Sequence, residues 1–202
     1  MKKTLLVFAA ILLFGLAGFA QDDEYPKFEL TGMASAFMAD VDVLGNETLW
    51  GWGIAGQGNI NKYFGIVAEW NANHGESTVP PSVTELEDDV ILDLRVQTML
   101  FGPRFSYRAK AVTVFGHFLL GAGTLKVDDE KNTIPDFEDR TSWQFAYAIG
   151  GGLDINLGKH FAIRPIQLDY VFMDSDWIQE TGTDGPGAFN NVRYNFGVVF
   201  KF

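Results

Sequence analysis

The last eleven residues alternate without a break. Val192, Tyr194, Phe196, Val198, Phe200 and Phe202 are apolar, and Arg193, Asn195, Gly197, Val199 and Lys201 stand between them. Successive side chains of a β-strand point to opposite faces. A period of two therefore gathers every bulky apolar group on one face. The same pattern runs through 141–155, where Trp143, Phe145, Tyr147, Ile149, Leu153 and Ile155 oppose Gln144, Ala146, Ala148, Gly150, Gly152 and Asp154. It recurs in 49–60, where Trp50, Trp52, Ile54 and Ile60 oppose Gly51, Gly53, Ala55, Gln57 and Asn59.

The second face decides between two kinds of β-protein. In a soluble sandwich or lipocalin-like barrel the apolar face fills the core and the other carries charge to water. Here the second face is small and weakly polar, which suits a narrow enclosed interior with the aromatic face turned to lipid. Five further segments, 27–39, 64–73, 90–107, 112–125 and 161–172, bring the strand count to eight. The expected fold is all-β, an eight-stranded antiparallel up-and-down transmembrane β-barrel. Pro103 and Pro165 fall inside strands and cannot donate to a ladder, so each is expected to mark a bulge. A bulge at Pro165 would let both Arg164 and Asp169 face inward.

Connections alternate between short (61–63, 108–111, 156–160) and long (40–48, 74–89, 126–140, 173–190). Membrane barrels have short periplasmic turns and long external loops. Charge sorts the same way: the long connections hold 18 of the 26 acidic residues, and the short turns with their flanks hold Lys62, Arg104, Arg108, Lys110 and Lys159 and no acid. Residues 1–20 read as a cleaved signal peptide. Lys2 and Lys3 precede the apolar run Leu5–Leu16, and Gly18-Phe19-Ala20 forms the cleavage site. Residues 21–202 are then the outer-membrane barrel, with no later stretch apolar enough for a transmembrane helix.

With no Cys, the chain has no disulfide framework, thiolate metal site or Cys nucleophile. Fifteen basic residues against 26 acidic ones give a net charge of −11, which disfavours nucleic acid as a partner.

The tail Tyr194-Asn-Phe-Gly-Val-Val-Phe-Lys-Phe202 resembles the C-terminal signal of bacterial outer-membrane proteins. The whole of 26–202 is similar in pattern to the transmembrane barrel domain of outer membrane protein A. Phe115-Gly-His-Phe-Leu-Leu-Gly-Ala-Gly123 and Arg164-Pro-Ile-Gln-Leu-Asp-Tyr170 resemble strands of that broad family. The resemblance implies outer-membrane localisation and recognition of Tyr194, Phe196, Val198, Phe200 and Phe202 by the barrel-assembly machinery. It covers the barrel only, so a cell-wall tether is not carried over.

Catalytic motifs are absent from the sequence: there is no GxSxG, no HExxH, and no Ser two residues after His117. His117 is expected in the lumen as a packed, hydrogen-bonded residue, and His74 and His160 in solvated connections. The dense carboxylates Asp128-Asp129-Glu130 suggest a weak divalent-cation contact at the acidic loops, without EF-hand spacing. No cofactor, metal centre or catalytic residue is assigned. Trp50, Trp52, Trp70, Trp143, Trp177, Tyr63, Tyr107, Tyr147 and Tyr194 are candidate girdle aromatics.

Parity and the expected bulge predict inward charges at Glu29, Glu69, Asp93, Arg95, Asp154, Arg164, Asp169, Arg193 and Lys201. Charges in a narrow lumen must pair or meet water. Glu29 and Lys201 are the expected pair where the first and last strands meet. The functional expectation is a monomeric, non-enzymatic structural or surface-interaction protein in contact with outer-membrane lipid and lipopolysaccharide. A narrow channel for ions or small apolar solutes is the alternative. Because Phe202 closes the apolar face of the last strand, its deletion should lower the heat-modifiable, assembled fraction on gels more than Lys201→Gln does.

Overall fold

The computed structural model describes residues 25–41, 45–79, 90–129, 140–174 and 188–202. Eight strands follow one another: β1 Phe28–Val41, β2 Gly45–Asn59, β3 Phe64–Val79, β4 Val90–Arg108, β5 Val112–Asp129, β6 Arg140–Asn156, β7 Phe161–Asp174 and β8 Ala188–Lys201. Each pairs antiparallel with its sequence neighbour, and β1 pairs with β8 to close the barrel. The closing ladder runs from Glu29↔Lys201 to Met38↔Val192. It is sealed at the chain ends, where Lys27 N and Phe28 N donate to Phe202 O and Phe202 N donates back to Phe28 O. Closure leaves no unpaired edge, the condition a sheet must meet to sit in hydrocarbon.

The two faces are inverted relative to a water-soluble protein. Trp50, Trp52, Phe101, Phe105, Tyr107, Trp143, Phe145 and Phe200 are exposed on the outside, while Glu69, Arg104, Asp154, Arg164, Asp169 and Arg193 are buried within. No solvated surface would carry that belt at such a density, so the lipocalin-like arrangement does not apply. Trp50 and Trp143 lie in the long-connection half of their strands, Trp52 and Trp70 near mid-strand, and Tyr63 and Tyr107 at the short-turn end. Trp177 lies outside the described residues.

The strands outrun the alternating segments at the long-connection end. The β3–β4 ladder continues from His74↔Arg95 up to Val79↔Val90, and β1 and β2 pair out to Val41↔Gly45. About 9–11 tilted residues suffice to cross the hydrocarbon, whereas β4 has 19. Beyond the bilayer a ladder needs only backbone pairing, so the hydrophobic alternation stops before the strand does. The expected long connection 40–48 is therefore mostly strand, as are His74, Glu76, Asp128, Asp129 and Asp174 at the edges of the others.

One proline bends the ladder and the other does not. Register shifts by one between Arg164↔Gly197 and Gln167↔Asn195, and again between Leu153↔Ile166 and Ile155↔Ile163, so β7 carries one extra residue around Pro165. The bulge flips parity, and Arg164, Gln167 and Asp169 all point inward. Tyr194 Oη donates to Pro165 O at 2.7 Å, satisfying a carbonyl at the bulge. At Pro103 no bulge forms. The β3 ladder runs through Ile66↔Pro103 unshifted, and the β5 ladder keeps one register from Phe101↔Leu120 to Arg104↔His117. There the missing N–H forfeits a bond without displacing the strand.

Glycine on the lumen wall permits tight backbone approach. A Cβ on Gly121 would stand 2.0 Å from Met99 O, whereas one on Gly58 meets nothing within 4 Å. Gly121→Val should therefore lower the urea midpoint of the refolded barrel by the equivalent of about 1–3 kcal/mol. Gly58→Val should leave it unchanged.

Candidate functional site

The lumen is filled in two layers. Toward the long connections it is mainly apolar, packed by Phe37, Leu49, Leu94, Val96, Val171 and Met173, with the buried amides Asn73 and Asn191 among them. The middle and the turn end hold ionisable and amide side chains. Alternation delivers them: Glu69 and Asn71 from β3, Arg104 from β4, His117 from β5, Asp154 from β6, and Arg193 and Asn195 from β8. The β7 bulge adds Arg164, Gln167 and Asp169.

Arg193 is the hub of the middle layer. Its Nη2 donates to Glu69 Oε1 at 2.5 Å and to Asp169 Oδ2 at 2.9 Å, and its Nη1 donates to Thr98 Oγ1 at 3.0 Å. It thus ties β8 to its neighbour β7 and, across the lumen, to β3 and β4. Gln167 bridges the same carboxylates, donating to Glu69 Oε2 at 3.1 Å and Asp169 Oδ2 at 2.8 Å. Its own oxygen accepts from Arg164 Nη1 at 2.8 Å. Arg164 in turn grips Asp154 with Nε at 2.7 Å and Nη2 at 3.1 Å, the planar fork matching the carboxylate. The Phe115 ring lies between two guanidiniums, with Arg104 and Arg164 each 4.3 Å from its centroid.

His117 is buried between Arg104 and Asp169. Arg104 Nη2 lies 3.2 Å from His117 Nδ1, and His117 Nε2 lies 2.9 Å from Asp169 Oδ1. A guanidinium can only donate, so Nδ1 accepts, Nε2 carries the proton, and the ring donates to Asp169. An acid-oriented imidazole is half of a nucleophile-activating pair. The position a hydroxyl would need is taken by Arg104. The arrangement is a hydrogen-bonded relay among fixed charges.

At the turn end the expected Glu29–Lys201 pair does not form. The two are register partners, yet Glu29 Oε1 accepts from Arg108 Nη2 at 2.6 Å and from Asn59 Nδ2 at 2.8 Å, while Lys201 Nζ donates to Asn156 Oδ1. The longer, forked guanidinium reaches over the mouth and engages Glu29, Asn59 Oδ1 and Lys62 O together.

Asp93 and Arg95 are also corrected. Even positions of β4, Leu94 through Ser106, face inward without interruption, so the odd ones face out. Arg95 is 51% exposed and pairs with Asp93 at 2.6 Å on the outer surface. The other seven expected lumen charges are buried inside. Arg104 and Arg108, which flank a short turn and read in the sequence as turn charge, also belong to the lumen network. The signal was available, because Arg104 shares the parity of Leu94 and Leu100.

Among the described residues no group of three or more His, Asp or Glu side chains could hold a metal ion. The Asp128-Asp129-Glu130 cluster falls outside the residues whose side chains are described. Among the described residues, no helix is long and apolar enough to cross a membrane.

The model of the outer membrane protein beta-barrel domain matches residues 6–202. The chain belongs to that family. Its place is the bacterial outer membrane. Solved structures share the fold at low sequence identity. The neisserial surface protein A aligns with a TM-score of 0.62 at 12% identity, covering 89% of this chain and all of that one. OprG of Pseudomonas aeruginosa aligns at 0.52 and 12%, covering 88% and 96%. Ail of Yersinia pestis aligns at 0.51 and 15%, covering 87% and 96%. No curated protein sequence matches the chain.

Removing one partner from a buried pair strands the other charges, whereas an exposed pair is worth little. Arg193→Met should destabilise the refolded barrel in vesicles by about 3–5 kcal/mol. Arg95→Met should cost at most about 1 kcal/mol. Denaturant titration followed by tryptophan fluorescence measures both.

Proposed function

We propose that this protein is a monomeric, non-catalytic outer-membrane barrel whose lumen is a plug and whose interactions are made by its acidic long-connection end. The observation that carries this reading is the Arg193–Glu69–Asp169 junction. It joins opposite walls of the lumen in the middle of the barrel. Eight strands enclose only enough space for side chains, and here those side chains are bonded to one another. The lumen charges nearly balance, with Glu29, Glu69, Asp154 and Asp169 against Arg104, Arg164, Arg193, Lys201 and, at the mouth, the half-buried Arg108. Such a core favours rigidity over ion passage.

Short turns are read as periplasmic and long connections as external, by analogy with membrane barrels. The long connections carry 18 acids against Lys126, Lys131 and Arg140, so the surface favours cationic partners or divalent-ion bridges to lipopolysaccharide. Ail was solved in complex with the heparin analogue sucrose octasulfate. A polyanion of that kind suits this acidic surface poorly. Residues 1–20 act as the export leader, and the outward row of β8 from Tyr194 to Phe202 as the assembly signal. Arg104, standing at His117 Nδ1 where a nucleophile would need to be, supports a non-enzymatic role.

In planar bilayers the refolded barrel should show no wide, steady conductance, and it should release no fatty acid from phospholipid or lipid A. A stable porin-like conductance would promote the channel alternative. Lipid hydrolysis lost in His117→Ala would establish an enzyme instead.

A further inference from the structure

The outer wall is indented near the short turns. Tyr63, Phe105, Tyr107 and Val114 stand around Gly116, and the hollow between them has a volume of about 410 Å³. Its cause is local. The outward positions of β5 run Val114, Gly116, Phe118, and Gly116 lies opposite Phe105 on β4 and Gly151 on β6. Two adjacent outward positions without side chains leave a notch, and the aromatic neighbours wall it.

Two basic turns border this hollow. Residues 60–63 carry Lys62 and residues 109–111 carry Lys110, both exposed, and neither turn contains a carboxylate. Lys62 Nζ lies 5.0 Å from the centroid of the Tyr63 ring, which places an ammonium at the rim. Arg108 holds the two turns together, its Nη1 donating to Lys62 O at 2.7 Å. The rim therefore has a fixed shape rather than two independent lysines.

We propose that this groove binds one glycerophospholipid with an anionic headgroup. An acyl chain lies over Gly116 between Phe105, Tyr107 and Val114, and the phosphate sits by Lys62 and Lys110. A chain in a notch touches protein on several sides, where a flat belt offers one, and each buried methylene adds to retention. Tyr63 and Tyr107 present their rings at headgroup level, the usual setting of interfacial tyrosine. The two ammonium groups select a net negative headgroup over a zwitterionic one. Assignment to the periplasmic leaflet rests on the orientation proposed above. Retention of lipid in a micelle does not, so failure of one is separable from failure of the other.

The test is native mass spectrometry of the refolded barrel in detergent with equimolar phosphatidylglycerol and phosphatidylcholine. The barrel should retain one phosphatidylglycerol, preferred by about fivefold or more, and Gly116→Leu should cut retention about tenfold. That variant should still fold, because a Cβ at Gly116 meets only Gly150 O at 3.6 Å, an ordinary contact. Heat-modifiable gel migration verifies it. Lys62→Gln combined with Lys110→Gln should erase the headgroup preference. Undiminished retention by Gly116→Leu, or equal retention of both lipids by wild type, would overturn the proposal. A dimer lost only in Gly116→Leu would assign the groove to a second copy and overturn it as well.

Discussion

Hydrocarbon offers a peptide group no hydrogen-bond partner, and the whole architecture follows from that constraint. Each unpaired N–H or C=O in the bilayer would cost several kcal/mol by the usual estimates. A sheet meets the condition only by closing on itself. The β1–β8 ladder and the reciprocal bonds between Phe28 and Phe202 do so here. Once the sheet is closed, the pleat forces one set of side chains toward lipid and the other into a narrow tube. The aromatic belt and the polar lumen are two results of one geometric fact.

The tube creates a second problem, because bulky and charged side chains share a volume little wider than themselves. The protein divides it. A mainly apolar layer fills the long-connection half, and a network of guanidiniums, carboxylates and amides fills the rest. Buried ion pairs often add little net stability compared with apolar packing, but leaving one partner alone is costly. The network therefore specifies one arrangement of the walls. Arg193 shows this directly, since its partners come from β3, β4 and β7 and are satisfied only when the barrel has closed in the observed register.

Local chain chemistry adjusts the regular pattern where the network needs it. The extra residue at Pro165 turns Arg164 inward while leaving Asp169 inward too, and Tyr194 occupies a carbonyl at the bulge. The other proline, Pro103, is absorbed by the ladder without a shift. Both sit in strands and look alike in one dimension. What separates them is the register of neighbouring strands, to which no local pattern in 102–104 or 164–166 refers.

The strand number, the two faces, the closing of the first strand on the last and the inward placement of Glu69, Asp154, Asp169 and Arg193 were legible in the amino-acid sequence, because a period of two is written directly into residue order. The length of the strands beyond the bilayer was less so, since pairing there no longer demands apolar alternation. The partners of each lumen charge were decided by the tertiary structure. Glu29 and Lys201 face each other in register, yet Arg108 reaches Glu29 from another wall and Lys201 turns to Asn156. Periodicity fixes which way a side chain points. Which groups meet across the tube depends on curvature, strand stagger and side-chain reach, and these exist only once all eight strands have closed.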